Sequence, residues 1–214
     1  MRTYIAPIGY DSTRVTRPIL SQGIERDTRI DLLIPTTTTD DSRSAQAIDD
    51  VRRMVEQIEP DVDIEMVEVS HEAFEEAIET CGSVIDSADG EVVVIFGGGA
   101  RDIFLPLTVA ALSRTHQIHA SYQFSDIDGK VREQPLPDLT ANAPAQTQST
   151  FVTINALDTP VSLTTITDAA DVSKSTITRH VKLLERQGLV TSETHGKTKV
   201  VELTTSGCLL ISRT

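Results

Sequence analysis

Between residues 3 and 124 the chain alternates short apolar runs with longer stretches whose apolar residues recur on one helical face. The short runs 3–8, 30–35, 64–69, 91–96 and 118–124 read as strands. Segment 44–58 sets Ala47, Ile48, Val51, Val55 and Ile58 at the period of a one-sided helix, and 72–84 repeats the pattern with Phe74, Ala77, Ile78, Cys81 and Val84. Regular strand and helix alternation predicts an α/β, Rossmann-like domain, a mostly parallel sheet with helices on both faces. Val92-Val93-Val94-Ile95-Phe96 has no polar interruption, which predicts a central strand buried on both sides. Asp128-Gly129 predicts a tight turn into a short antiparallel strand around Val131. Pro18 and Pro106 fall inside helical patterns, where a late helix start or a kink is expected.

Residues 135–148, PLPDLTANAPAQTQ, hold three prolines and few apolar side chains, and read as a linker between domains 1–134 and 149–214. Beyond it the pattern predicts a helix over 151–157, a short helix over 162–170 capped by Ser162, and a turn at Asp171-Val172. A longer helix, 174–187, is capped by Ser173 and stopped by Gly188. Ile177, Val181 and Leu184 form its inward stripe, while Lys174, Ser175, Thr176, Thr178, Arg179 and Lys182 face outward. Those are side chains that reach base edges and phosphates when a helix enters the major groove. Strands over 190–193 and 198–203 flank His195-Gly196-Lys197, a wing whose Lys197 and Lys199 are within reach of phosphates. The run VSKSTITRHVKLLERQGLV, with this hairpin and LTTSG after it, resembles winged-helix repressors of the multiple-resistance and metal-sensor kind. That resemblance implies a winged helix-turn-helix on double-stranded DNA. His180 is expected to be packed or solvated and no metal site is expected, since no second ligand stands at suitable spacing, and Glu185 and Arg186 read as a solvated face.

Charge separates the two halves. Residues 1–150 hold 12 Lys+Arg against 26 Asp+Glu, a net of −14, and residues 151–214 hold 7 against 6, a net of +1. Two domains meeting near residue 150 account for that change. Five Lys against fourteen Arg, with abundant carboxylates and no Trp, resembles proteins of salt-loving archaea. In molar salt the Debye length falls to about 3 Å, so the overall charge of −13 repels DNA only weakly. No apolar run approaches the ~18 residues of a spanning helix, and the first residues form no signal segment, so a cytoplasmic protein is expected. Cys81 and Cys208 have neither redox nor metal spacing and read as reduced thiols.

In an open α/β sheet, ligands sit beyond the carboxyl ends of strands where the strand order reverses. After the first strand stand Gly9-Tyr10-Asp11-Ser12-Thr13, and after the fourth Gly97-Gly98-Gly99-Ala100-Arg101, opening a helix. Glycines permit close backbone approach, and amides at a helix start hold anions. The macrodipole disfavours Arg101 at that place, so either a bound anion or a surface carboxylate must accompany it. The glycine run lacks the last Gly of the dinucleotide fingerprint and any Gly-Lys-Ser/Thr, so ordinary NAD or ATP binding is not indicated. Thr36-Thr37-Thr38-Thr39 reads as a polar loop.

Gly9-Tyr10-Asp11, Gly98-Gly99-Ala100-Arg101 and the winged helix after them resemble the CARF family, CRISPR-associated Rossmann-like domains that sense cyclic oligoadenylates. Over nearly the whole chain the order resembles archaeal CRISPR-associated regulators of transcription that join a CARF domain to a winged helix. The resemblance implies a homodimer binding one cyclic tetra-adenylate across both copies of Gly9, Tyr10, Asp11, Ser12, Thr13, Gly97, Gly98, Gly99 and Arg101, with no cofactor and no catalytic residue. The alternatives are a ring nuclease using Ser12 or Thr13 with Arg101, and a redox repressor sensing NAD(H).

Overall fold

The sheet of the N-terminal unit is built outward from β1 (Arg2–Pro7), which pairs in parallel with β2 (Thr28–Pro35) on one flank and β4 (Glu91–Phe96) on the other. β3 (Asp63–Val69) lies beyond β2 and β5 (Ile118–Phe124) beyond β4, both parallel, and the short β6 (Val131–Glu133) adds antiparallel to β5. The order β3-β2-β1-β4-β5-β6 is the doubly wound arrangement that the alternation of periods predicts. The structure is a computed structural model that describes residues 1–36, 42–196 and 198–212.

Side chains of successive residues leave a strand on opposite faces, and here both faces are covered. Ile5, Leu33, Val92, Val94 and Phe96 join α3 (Phe74–Ser87) and α4 (Arg101–Ser113) in one core. Tyr4, Ala6, Ile30, Leu32, Val93 and Ile95 join α1 (Thr13–Gln22) and α2 (Ser42–Ile58) in a second. This is why residues 92–96 carry no polar position. Strand β3, at the edge, instead exposes Asp63, Glu65 and Glu68, charges that discourage pairing with another chain.

Pro18 and Pro106 both sit inside continuous helices, so neither delays its helix to a later start. Pro18 has no N–H to give the Arg14 carbonyl. That carbonyl lies over Gly97, where an added Cβ would stand 2.1 Å from its oxygen. The proline thus leaves α1 with a backbone oxygen that packs against the end of β4.

The chain divides between Leu136 and Pro137. Leu136 packs on the first core of the N-terminal unit, while Ala141 and Ala143 pack on the C-terminal core and the Asp138 amide donates to the Ser206 hydroxyl at 2.9 Å. Most of the proline-rich segment is therefore part of the C-terminal unit, and α5 begins at its end (Gln148–Ala156), three residues before the expected helix start at 151. There follow β7 (Val161–Ser162), α6 (Leu163–Ala170), α7 (Lys174–Arg186), β8 (Val190–His195), β9 (Thr198–Leu203) and α8 (Thr205–Ile211), with the strands antiparallel in the order β7-β9-β8. Ser162 accepts from the Thr165 amide at 3.0 Å and Ser173 from the Thr176 amide at 3.3 Å, the two caps read from the sequence. Asp171 makes the sharp turn between α6 and α7 with a left-handed φ of 50°. Phe151, Ile154, Ile166, Ile177, Val181, Leu184 and Val201 close the core. Among the described residues no helix is long and apolar enough to cross a membrane.

Candidate ligand cavity and nucleic-acid interface

Adjacent strands β1 and β4 send α1 and α4 to opposite faces of the sheet, so their carboxyl ends form the switch point of the fold. A cavity of about 320 Å³ opens there. Ile8, Gly9, Tyr10, Asp11 and Arg14 line it from the β1 side, Gly98, Gly99 and Ala100 from the β4 side, and Pro35 and Ser44 complete it.

The glycines are demanded first by how the two loops pack. A Cβ on Gly98 would lie 2.9 Å from the Pro7 carbonyl oxygen, and one on Gly99, whose φ is +84°, would lie 2.6 Å from the Pro7 Cβ. A Cβ on Gly9 would lie 3.3 Å from the Gly99 backbone. Gly98, Gly99 and Gly9 also present backbone to the cavity, whereas Gly97 takes no part in its lining and accommodates the Arg14 carbonyl instead.

Ser12 at the start of α1 makes no side-chain cap, and Asp11 fills that role by accepting the Thr13 amide at 3.0 Å. Partial burial alone would raise the Asp11 carboxyl. Hydrogen bonds from Thr13 and Arg14 outweigh it and hold the group below its ordinary value. Arg14 Nε stands 3.4 Å from Asp11, and its Nη1 stands 2.9 Å from Asp126 in the loop between β5 and β6. Tyr10 is 59% exposed, with the Arg43 guanidinium 4.4 Å from its ring centre. Ser12 and Thr13 open α1 outside the lining. Arg101, the first residue of α4, is exposed and also outside it. Ala100, at the N-cap of α4, offers the first amides no side-chain acceptor, and no carboxylate of the described residues pairs with Arg101.

Arg14, Pro35 and Ser44 were not readable as cavity residues. Arg14 left a signal, since it lies three residues after Asp11 and so on the same side of the helix start. Pro35 and Ser44 reach the site only because β2 lies beside β1. Thr36 donates its amide to the Val69 carbonyl at 2.9 Å, and Thr37, Thr38 and Thr39 lie outside the described residues.

In the C-terminal unit, Lys174, Ser175, Arg179 and Lys182 are exposed along α7, while Thr176 and Thr178 are half-buried. Thr178 donates to the Lys174 carbonyl at 2.8 Å and Thr176 shares a 2.9 Å hydrogen bond with Ser173, so the free reach of this face is that of its cations. Lys199 turns to Glu185 at 3.5 Å, and Glu185 also accepts from the Ser192 hydroxyl. The structure thus corrects the reading of Glu185 as a solvated side chain: it is the tie between α7 and the wing. Lys197 lies outside the described residues. His180 is buried against α5, its Nδ1 sharing a 2.8 Å hydrogen bond with the Thr150 hydroxyl.

A Rossmann-like sheet with a cavity at its switch point is followed by a winged helix with a cationic outer face, which defines a two-domain protein of the α/β and helix-turn-helix classes. The Csa3 CRISPR-associated Rossmann-like domain matches residues 2–130, and a helix-turn-helix domain matches residues 155–193. The chain belongs to the Csa3 family of CRISPR-associated Rossmann-like domain proteins. Behind that domain it carries a helix-turn-helix domain. Among solved structures, Enterococcus italicus Csm6 bound to cyclic hexa-2'-fluoro-hexa-dAMP matches at a TM-score of 0.50 and 10% identity, over 87% of this chain and 53% of that one. A MepR mutant of S. aureus bound to an oligodeoxyribonucleotide matches at a TM-score of 0.28 and 21% identity, over 31% of this chain and 51% of that one. The chain thus spans about half the length of each. No curated protein matches it.

Proposed function

We propose that the chain is a non-catalytic, homodimeric transcription regulator of CRISPR-associated genes that senses cyclic tetra-adenylate through its N-terminal domain and reads DNA through α7. The observation that carries this reading is the cavity at the β1–β4 switch point, where the backbone of Gly98 and Gly99 meets Arg14 and Tyr10. Its volume of about 320 Å³ is at the bottom of the ~300–1,000 Å³ range of ligand sites, room for part of a nucleotide ring. A four-membered ring extends beyond it, and a second copy related by a two-fold axis supplies an equivalent set of groups. Arg101 stands beside the open amides of α4, placed for a phosphate that reaches past the cavity rim. One face of Tyr10 is covered by Arg43, so this ring is a platform on which an adenine stacks. The Csm6 structure that shares this fold is described as bound to a cyclic hexanucleotide analogue, which supports a ligand of this class.

Calorimetric titration of the full-length chain with cyclic tetra-adenylate in molar KCl tests the first half. One ring per two chains is expected, with Arg101→Ala losing about 1.5–3 kcal/mol per phosphate contact. One ring per chain, or no heat of binding, overturns the shared site. For the second half, Arg179→Ala is expected to weaken a promoter complex by roughly 1–3 kcal/mol if it reads a base, and Lys182→Ala to weaken all duplexes alike. Unchanged mobility shifts in both variants would remove α7 as the reading helix.

A further inference from the structure

We propose that Arg14 couples the cavity to the β5–β6 hairpin: a ligand phosphate takes the guanidinium from Asp126, and the hairpin is released from α1. The inference rests on the phosphate-bearing ligand proposed above. Arg14 is the one cationic side chain lining the cavity among the described residues. Outside the cavity its Nη1 holds Asp126 at 2.9 Å, and inside, its Nε faces Asp11 at the looser distance of 3.4 Å. Asp11 is 52% and Asp126 63% exposed, so both pairs are hydrated and individually weak. A phosphate in the cavity offers the same guanidinium two oxygens at once, the geometry in which arginine binds most strongly.

The two sides of this contact are not equally held. Helix α1 is anchored by buried Val15 and Ile19 and by the Arg14 carbonyl seated over Gly97. The hairpin loop buries little, and Ile127 at its tip is 98% exposed. Its shape is kept from within, by the Ser125 amide on the Lys130 carbonyl at 2.9 Å, the Gly129 amide on the Ser125 carbonyl at 2.8 Å, and the ion pair of Asp128 with Arg132. Toward α1 it is tied by Arg14 on Asp126 and by Arg17 Nη1, which donates to the Gly129 carbonyl at 3.1 Å. Once Arg14 turns inward, a formed loop hangs on Arg17. The moving part is the loop, and the helix stays in place.

The chain has no tryptophan, so Ile127→Trp puts a single indole on the loop. Titrating full-length I127W protein with cyclic tetra-adenylate is expected to lower the indole's fluorescence anisotropy as the ring binds. Adding Asp126→Asn to that background is expected to give the low value before any ligand, and to tighten ring binding roughly two- to fivefold, the worth of one exposed ion pair. Arg14→Ala is expected to show the same low anisotropy and to weaken binding about tenfold or more. Ring binding with unchanged anisotropy, and with D126N binding like its parent, overturns the coupling and leaves the ligand reading intact. A ring that binds none of these proteins overturns both.

Discussion

His180 lies buried on α7, and burial, with Arg179 beside it, holds its pKa below the ordinary histidine value of 6.5. As the pH falls, the unfolded chain therefore takes up this proton before the folded one does. The stabilisation is complete above 6.5 and is lost as the pH falls from there through the lower folded-state value. Melting of the C-terminal unit between about pH 7.5 and about pH 5.5 is expected to show that loss, and His180→Gln, which keeps a hydrogen-bonding group near Thr150, is expected to flatten it. Equal pH dependence in both proteins would place the effect elsewhere. Gly99 carries a different burden, since a side chain there meets both a positive φ and the Pro7 Cβ at 2.6 Å. Gly23 has φ +92° and nothing within 4 Å. Gly99→Ala is thus expected to cost about 1–3 kcal/mol of N-terminal stability in denaturant titration and Gly23→Ala distinctly less. The glycines were visible in the sequence as a phosphate-type turn, but their steric reason was not. It depends on Pro7, which comes beside them only when β1 and β4 pair.

Helix α2 and strand β4 were readable to within a few residues, the helix because Ala47, Val51 and Val55 bury one face of it and the strand because both of its faces are covered. The seven-residue α8 and the two-residue β7 were not. Helix α8 depends on the Thr204 side chain accepting the Gly207 amide at 3.0 Å and on Gly207 fitting against the Leu189 carbonyl, where a Cβ would approach to 2.1 Å. The wing was found but not its attachment. Glu185, Ser192 and Lys199 are separated along the chain and meet only because the hairpin folds back past the last turn of α7. Glu185→Ala is expected to speed hydrogen exchange in β8 and β9 and to cost about 1 kcal/mol, while Glu185→Gln, which still accepts from Ser192, recovers part of it. Exchange unchanged in the alanine variant would mean that the wing is held by its own ladder.

At the scale of the whole chain, the two cores of the N-terminal unit and the core of the C-terminal unit share no residue. Calorimetric unfolding is expected to resolve two transitions, with cyclic tetra-adenylate raising that of the N-terminal unit alone, since a ligand stabilises the fold it binds. A ring that raised both equally, or only the C-terminal one, would move its site. The charge contrast in the sequence set the meeting of two domains near residue 150, whereas the chain divides between Leu136 and Pro137, because the boundary depends on where Leu136 and Ala141 pack, which composition does not record. The pairing of β1 with β4 also has a consequence for how the protein is made. On the ribosome β1 emerges well before β4, so one of its flanks has no partner until Glu91–Phe96 has been synthesised. Tyr4, Ile5 and Ala6, fully buried in the finished sheet, spend that interval uncovered, and such waiting is slow and open to wrong partners. The C-terminal unit closes over nearer neighbours. In pulse-labelled refolding of the full-length chain, amides of α7 are expected to gain protection before those of the β1–β4 ladder.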